Sequence, residues 1–174
     1  MSLIYITGTA GTGKSTIKKE LEALGYVAYG TDEDNIASWY DIRTGLKVTK
    51  PSLQQRNDDF LKYHIWLIDI DLLNALKQQS EASLIFLCGV ASNDYDVHDI
   101  FDKRVCLTID ETSLVKRLVS RTDVHFGKTE TELDNVLMWH EMIEDKNRSL
   151  GALMVNATQT IELVVEEIIN YANK

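Results

Sequence analysis

Short apolar runs alternate along the chain with longer stretches whose apolar residues recur every three or four positions. Five runs, at residues 3–7, 26–29, 83–88, 104–109 and 152–156, read as strands. Those at 83–88 and 104–109 are apolar almost throughout, the mark of strands covered on both faces. Helical periods occupy residues 13–24, 111–121, 129–149 and 160–172. Gly25 closes the first of these as a C-terminal cap. A further helix is expected at residues 35–43, before a loop at Thr44 and Gly45. Pro51 opens a long helix, since proline is tolerated in a first turn. Leu61, Ile65, Ile68, Leu72 and Leu76 supply its apolar stripe. Parallel strands need helical crossovers, so the alternation predicts an α/β fold, a five-stranded parallel sheet with helices on both faces.

Composition narrows the picture. The 174 residues suit one domain, 1–174, with one proline and nine glycines and hence no Pro/Gly-rich linker. Eighteen basic residues against 27 acidic ones leave a net charge of −9, which argues against nucleic acid or an anionic membrane as partner. Any phosphate must therefore be held locally, by a few placed cations and backbone N–H groups. No apolar run approaches the roughly 20 residues of a membrane span. The first residues lack the basic region and long apolar stretch of a signal peptide, so the cytoplasm is the expected location. Cys88 and Cys106 fall inside strand runs and read as small buried hydrophobes in a reducing compartment.

The strongest chemical signal follows the first strand. Gly8-Thr9-Ala10-Gly11-Thr12-Gly13-Lys14-Ser15 carries the G-x-x-x-x-G-K-[ST] pattern between a strand and a helix, the context that pattern requires. The glycines let the main chain wrap round a phosphate with its N–H groups inward, and the helix N-terminus favours negative charge. Lys14 is expected on the β- and γ-phosphates of a nucleoside triphosphate, Ser15 on Mg2+, and Thr16 near the α-phosphate. A GTPase would carry Asn-Lys-x-Asp after a late strand; the only similar run, Asp145-Lys146-Asn147-Arg148, lies in a helix, which favours ATP. Motor and transporter ATPases end an apolar strand on an acidic pair, whereas residues 84–88 run into Gly89-Val90-Ala91. Here the carboxylates follow the second strand, as Asp32, Glu33 and Asp34.

With that loop at the start, those acids and the later pair Arg117 and Arg121, the chain resembles the small P-loop kinases, among them adenylate, shikimate and gluconate kinases. The resemblance implies a P-loop NTPase fold with a short lid, at about residues 121–129, and an ATP-dependent phosphotransferase acting on a small-molecule acceptor. Asp32 in Gly30-Thr31-Asp32 is similar to the Gly-Asp of gluconate and adenylylsulfate kinases. Asp32-Glu33-Asp34 is also similar to the Asp-x-Asp of shikimate kinases. By this likeness Asp32 meets the acceptor hydroxyl or the metal, with Asp34 beside it. Arg117 and Arg121, four apart on one helix face, are implied by the resemblance to neutralise the transferring phosphoryl group or stack on adenine; as plain helix-end cations they would favour the macrodipole. The same likeness implies that Arg43 and Arg56 bind an anionic acceptor and that Asn156-Ala157-Thr158 holds adenine, and Arg148 is a further candidate to face the phosphates. The lid has no cysteine cluster for zinc.

Other residues support blander readings. His64, His98, His125 and His140 are scattered without paired ligand spacing. Asp69 and Asp71 are expected to face solvent beside the long helix's stripe. Asp94, Asp96 and Asp99 are expected to open a helix at the sheet edge where ligands bind. The rival function is a nucleotide-binding switch or regulatory ATPase without an acceptor. The acceptor's identity, and monomer or homodimer, stay open.

Overall fold

The computed structural model describes residues 1–52, 55–120 and 130–174. In chain order the elements are β1 (Leu3–Thr7), α1 (Lys14–Ala23), β2 (Val27–Gly30), β3 (Ala37–Asp41), α2 (Asp58–Tyr63), β4 (His64–Ile68) and α3 (Ile70–Gln79). There follow β5 (Ile85–Cys88), β6 (Lys103–Thr108), α4 (Glu111–Ser120), α5 (Glu130–Ser149), β7 (Leu153–Asn156) and α6 (Ile161–Ala172). Five strands form one parallel sheet in the order β2-β5-β1-β6-β7, as the alternation predicts. Each strand of this sheet delivers its C-terminal end to the same edge, so the loops after β1, β2 and β5 emerge together.

Strand side chains alternate between two cores. Ile4, Ile6, Phe86, Val105 and Leu107 pack on one face against Ile17 and Leu21 of α1 and Val165 and Ile168 of α6. On the other face Leu3, Tyr5, Ile85 and Leu87 meet Leu73 and Leu76 of α3, Val97 and Phe101. A third cluster joins α4 to α5 through Leu114, Leu118 and Val136, with Ile109 beyond the end of β6. Cys88 and Cys106 are buried and unpaired, and burial pushes each thiol up to about 12.

Two helix expectations fail between β2 and β5, and after β5 Asp94 and Asp96 lie in turns before a single 3-10 turn at His98–Ile100 rather than opening a helix. Residues 35–43 form a strand, not a helix: Asn35 enters the left-handed region at φ 56°, which an α-helix cannot continue, and Ala37-Ser38-Trp39-Tyr40-Asp41 then extends. The long helix after Pro51 is instead α2, β4 and α3 in succession. Its stripe is a coincidence of spacing. Ile65 and Ile68, three apart, lie on opposite faces of β4, where Ile65 pairs with Tyr40 and Ile68 with Ala37. In α3 the buried residues are Leu73 and Leu76, while Leu72 is exposed. Asp69 caps that helix, accepting hydrogen bonds from the N–H groups of Asp71 (3.0 Å) and Leu72 (3.3 Å). β3 and β4 thus make an antiparallel ribbon, with Trp39 and Trp66 directly opposite at 5.4 Å between ring centroids.

Candidate functional site

The loop between β1 and α1 is built to leave donors open. Gly8, Gly11 and Gly13 all take positive φ, at 144°, 93° and 102°. At Gly8 a side chain is also excluded by contact, because a Cβ would lie 2.7 Å from the Leu107 carbonyl oxygen. Gly13 has open space instead; it starts α1 with no side-chain cap, the kind of helix N-terminus that suits an anion. Lys14 folds back, its Nζ donating to the carbonyls of Gly8 (2.6 Å) and Thr9 (2.9 Å). The Thr12 hydroxyl also donates to Thr9 O, at 2.8 Å. Ala10 packs against the α4–α5 cluster, and Thr16 is exposed on the first turn of α1.

The acidic turn after β2 docks on this helix. Ser15 donates its hydroxyl to Glu33 Oε1 at 2.7 Å. Lys18, one turn along α1, lies 3.4 Å from Asp34 Oδ2 and 2.8 Å from Glu22. Asp34 also accepts the Gly30 N–H at 2.7 Å, so it closes the turn. Asp32 is exposed at the head of the same turn. The carboxylate that reaches Ser15 is therefore Glu33, which the sequence reading passes over; the signal was its place in the acidic triplet. Gly30 belongs to this arrangement, since a Cβ there would meet Glu33 Oε2.

On the other flank a cleft of about 390 Å³ opens between the loop, α4 and the β7–α6 connection. Arg117 spans it, donating to Ala157 O at 2.6 Å and Thr12 O at 3.4 Å. Ile17, Ala157, Ile161 and Val164 give the cleft an apolar wall suited to a flat ring. Asn156 instead makes an Asx turn, accepting from the Thr158 N–H and hydroxyl. Arg121 and the lid at 121–129 lie outside the described residues.

Three candidates are placed elsewhere. Arg43 is clamped onto Asp41 through its Nε (3.0 Å) and Nη2, and lies 4.5 Å from the Tyr63 ring centre. That guanidinium holds the Asp41 carboxyl well below the usual range, and the pair ties the end of β3 to the turn after it. Arg148 is exposed in the last turn of α5, just before β7 begins, hence at the sheet edge opposite the loop. Asp94 is buried with Arg104 (3.7 Å) and Lys146 (3.1 Å). Arg56, by contrast, keeps a buried Nε with no hydrogen-bond partner among the described residues. His140, read as incidental, meets the loop: its Nδ1 is 3.1 Å from the Thr9 hydroxyl.

A family model described as an AAA domain matches residues 4–135, well over half of the chain. The chain belongs to the AAA domain family. No curated protein matches the domain's sequence. Among solved structures, a gluconokinase from Sinorhizobium meliloti 1021 superposes at TM-score 0.57 and 21% identity, over 99% of this chain and 91% of that one. A shikimate kinase from Bacteroides thetaiotaomicron gives 0.63 at 17% identity, over 99% of both. A deoxyadenosine kinase from M. mycoides with bound dATP gives 0.58 at 18%, over 100% of both. The domain has the fold of the small P-loop kinases. None of its described helices is long and apolar enough to cross a membrane.

Proposed function

We propose that this domain is an ATP-dependent phosphotransferase that moves a phosphoryl group to a hydroxyl of a small molecule. The observation that carries the reading is the 2.7 Å contact of Glu33 with Ser15, a carboxylate set on the loop's hydroxyl where the β1 and β2 ends meet. An oxygen pair of this kind suits Mg2+, which when bound with the triphosphate offsets its developing charge. The loop's N–H groups hold the phosphates, and Lys14 exchanges two carbonyls of its own loop for phosphate oxygens. Asp32 accepts the acceptor's proton or orients its hydroxyl. Arg117, with Arg121, screens charge from the nucleotide side. An acceptor with an anionic group fits Arg56, whose Nε has no hydrogen-bond partner among the described residues. Gluconokinase, shikimate kinase and deoxyadenosine kinase structures share the fold, which supports this reaction class without selecting an acceptor.

The test incubates the chain with labelled ATP, Mg2+ and a panel of sugar acids, nucleosides, nucleotides and other hydroxyl compounds. Acceptor-dependent ADP release is expected, abolished by EDTA and restored by Mg2+ or Mn2+. Lys14→Ala is expected to lower turnover at least tenfold, about 1.4 kcal/mol. ATP turnover that no acceptor raises would favour a regulatory ATPase. A folded Lys14→Ala variant with unchanged ATP affinity and turnover would remove the loop from the reaction.

A further inference from the structure

Leu133, Val136, Leu137, His140 and Glu144 stand at i, i+3, i+4, i+7 and i+11 along α5 and so share one face. That face meets the phosphate loop. Its apolar members join Ala10, Ile109, Leu114 and Leu118 in one cluster, and His140 follows, 9% exposed. The imidazole Nε2 is 2.8 Å from the Ile109 carbonyl, which only accepts, so Nε2 carries the proton. In the neutral imidazole Nδ1 is then the acceptor, and the Thr9 hydroxyl, 3.1 Å away, is its donor. Glu144 completes the set: its Oε1 takes the Ile109 N–H at 3.4 Å and lies 3.5 Å from His140 Nε2. One helix face thereby holds both main-chain groups of Ile109, past the end of β6, and a side chain of the neighbouring loop.

Thr9 is the residue whose carbonyl receives Lys14 Nζ (2.9 Å), the Thr12 hydroxyl (2.8 Å) and the Thr12 N–H (3.3 Å). Fixing its side chain fixes the peptide on which those three donors converge. A loop set before the ligand arrives loses less conformational freedom on binding. We propose that His140 is a positioning residue for the triphosphate, acting through the Thr9 hydroxyl to hold the first half of the phosphate loop in its binding shape. The proposal rests on the phosphotransferase reading above.

The test measures ATP and adenosine binding to the full chain with Mg2+ by calorimetry, beside thermal unfolding without nucleotide. His140→Ala and Thr9→Val should each weaken ATP about tenfold, the scale of a lost buried hydrogen bond. Adenosine, which has no phosphates, should bind all variants as it binds the wild type. The double variant should lose no more than about twofold beyond the weaker-binding single, because both changes remove one bond. His140→Asn, which keeps an acceptor near the Nδ1 position, should recover ATP affinity to within about threefold of wild type. If His140→Ala does not fold, Thr9→Val decides. ATP affinity within about twofold of wild type in folded Thr9→Val, well inside that scale, overturns the proposal, and so do fully additive losses. A wild-type chain that binds no ATP overturns the phosphotransferase reading itself and this inference with it.

Discussion

Three consecutive carboxylates share the turn after β2 and divide its work. Asp34 closes the turn on the Gly30 N–H and holds Lys18, Glu33 reaches the Ser15 hydroxyl, and Asp32 stays exposed at the front. The residue types were legible as an acidic cluster beside a phosphate loop. Which of them meets Ser15 was not, because the turn's path depends on Asn35 at φ 56° and on a glycine that leaves room for Glu33. The two forward carboxylates should separate under substitution. Glu33→Gln keeps an oxygen for Ser15 but loses the charge, so half-maximal turnover should require about tenfold more Mg2+. Asp32→Asn should leave ATP binding and Mg2+ dependence in place and lower turnover about 10²-fold, the scale of a lost general base. Asp32→Asn turnover within about threefold of wild type would reduce Asp32 to a solvent-facing turn residue. An unchanged Mg2+ titration for Glu33→Gln would do the same for Glu33.

At the scale of elements, the β3–β4 ribbon departs furthest from what the apolar pattern predicts. A spacing of three or four residues is the helical signature, but it also arises when two short helices flank a strand. Trp39, Trp66 and Phe60 stabilise the alternative, with centroids 5.3–5.4 Å apart about Trp39. Asn93 ties the ribbon to the segment after β5. Its side-chain amide imitates a strand partner, with Oδ1 accepting the Ile68 N–H at 2.9 Å and Nδ2 donating to Ile68 O at 3.0 Å. The Ser92 N–H adds a bond to Trp66 O at 2.9 Å. Asn93→Ala leaves both polar groups of a buried residue unmatched and should cost about 1–3 kcal/mol. Urea unfolding should show a lower midpoint at unchanged m-value. A midpoint equal to wild type would mean the ribbon holds without this clamp.

Across the whole molecule, a buried polar knot connects α5, β6 and the segment after β5. Arg104 donates to Asn147 Oδ1 (3.0 Å) and to Asp94 O (3.0 Å), and its guanidinium lies 4.7 Å from the Tyr5 ring centre. Asp94 answers that charge and the charge of Lys146. Removing one partner of a buried pair costs about 3–5 kcal/mol, so Asp94→Ala should lower stability on that scale, while Asp94→Ala with Arg104→Met should recover most of it. Thermal unfolding reads both; a double variant no better than the single would show that packing, not charge, holds the knot. None of this was visible as an arrangement in the chain. The sequence by itself determined the parallel sheet, the helices α1, α4, α5 and α6 and the phosphate loop, because strand burial, helical period and the glycine pattern are local properties of contiguous residues. Only the tertiary structure decided that Glu33 faces Ser15, that Asp94 serves Arg104 and that His140 reaches Thr9 across 131 positions. Those pairings depend on which ends and faces the packed elements bring together, and no local spacing encodes that.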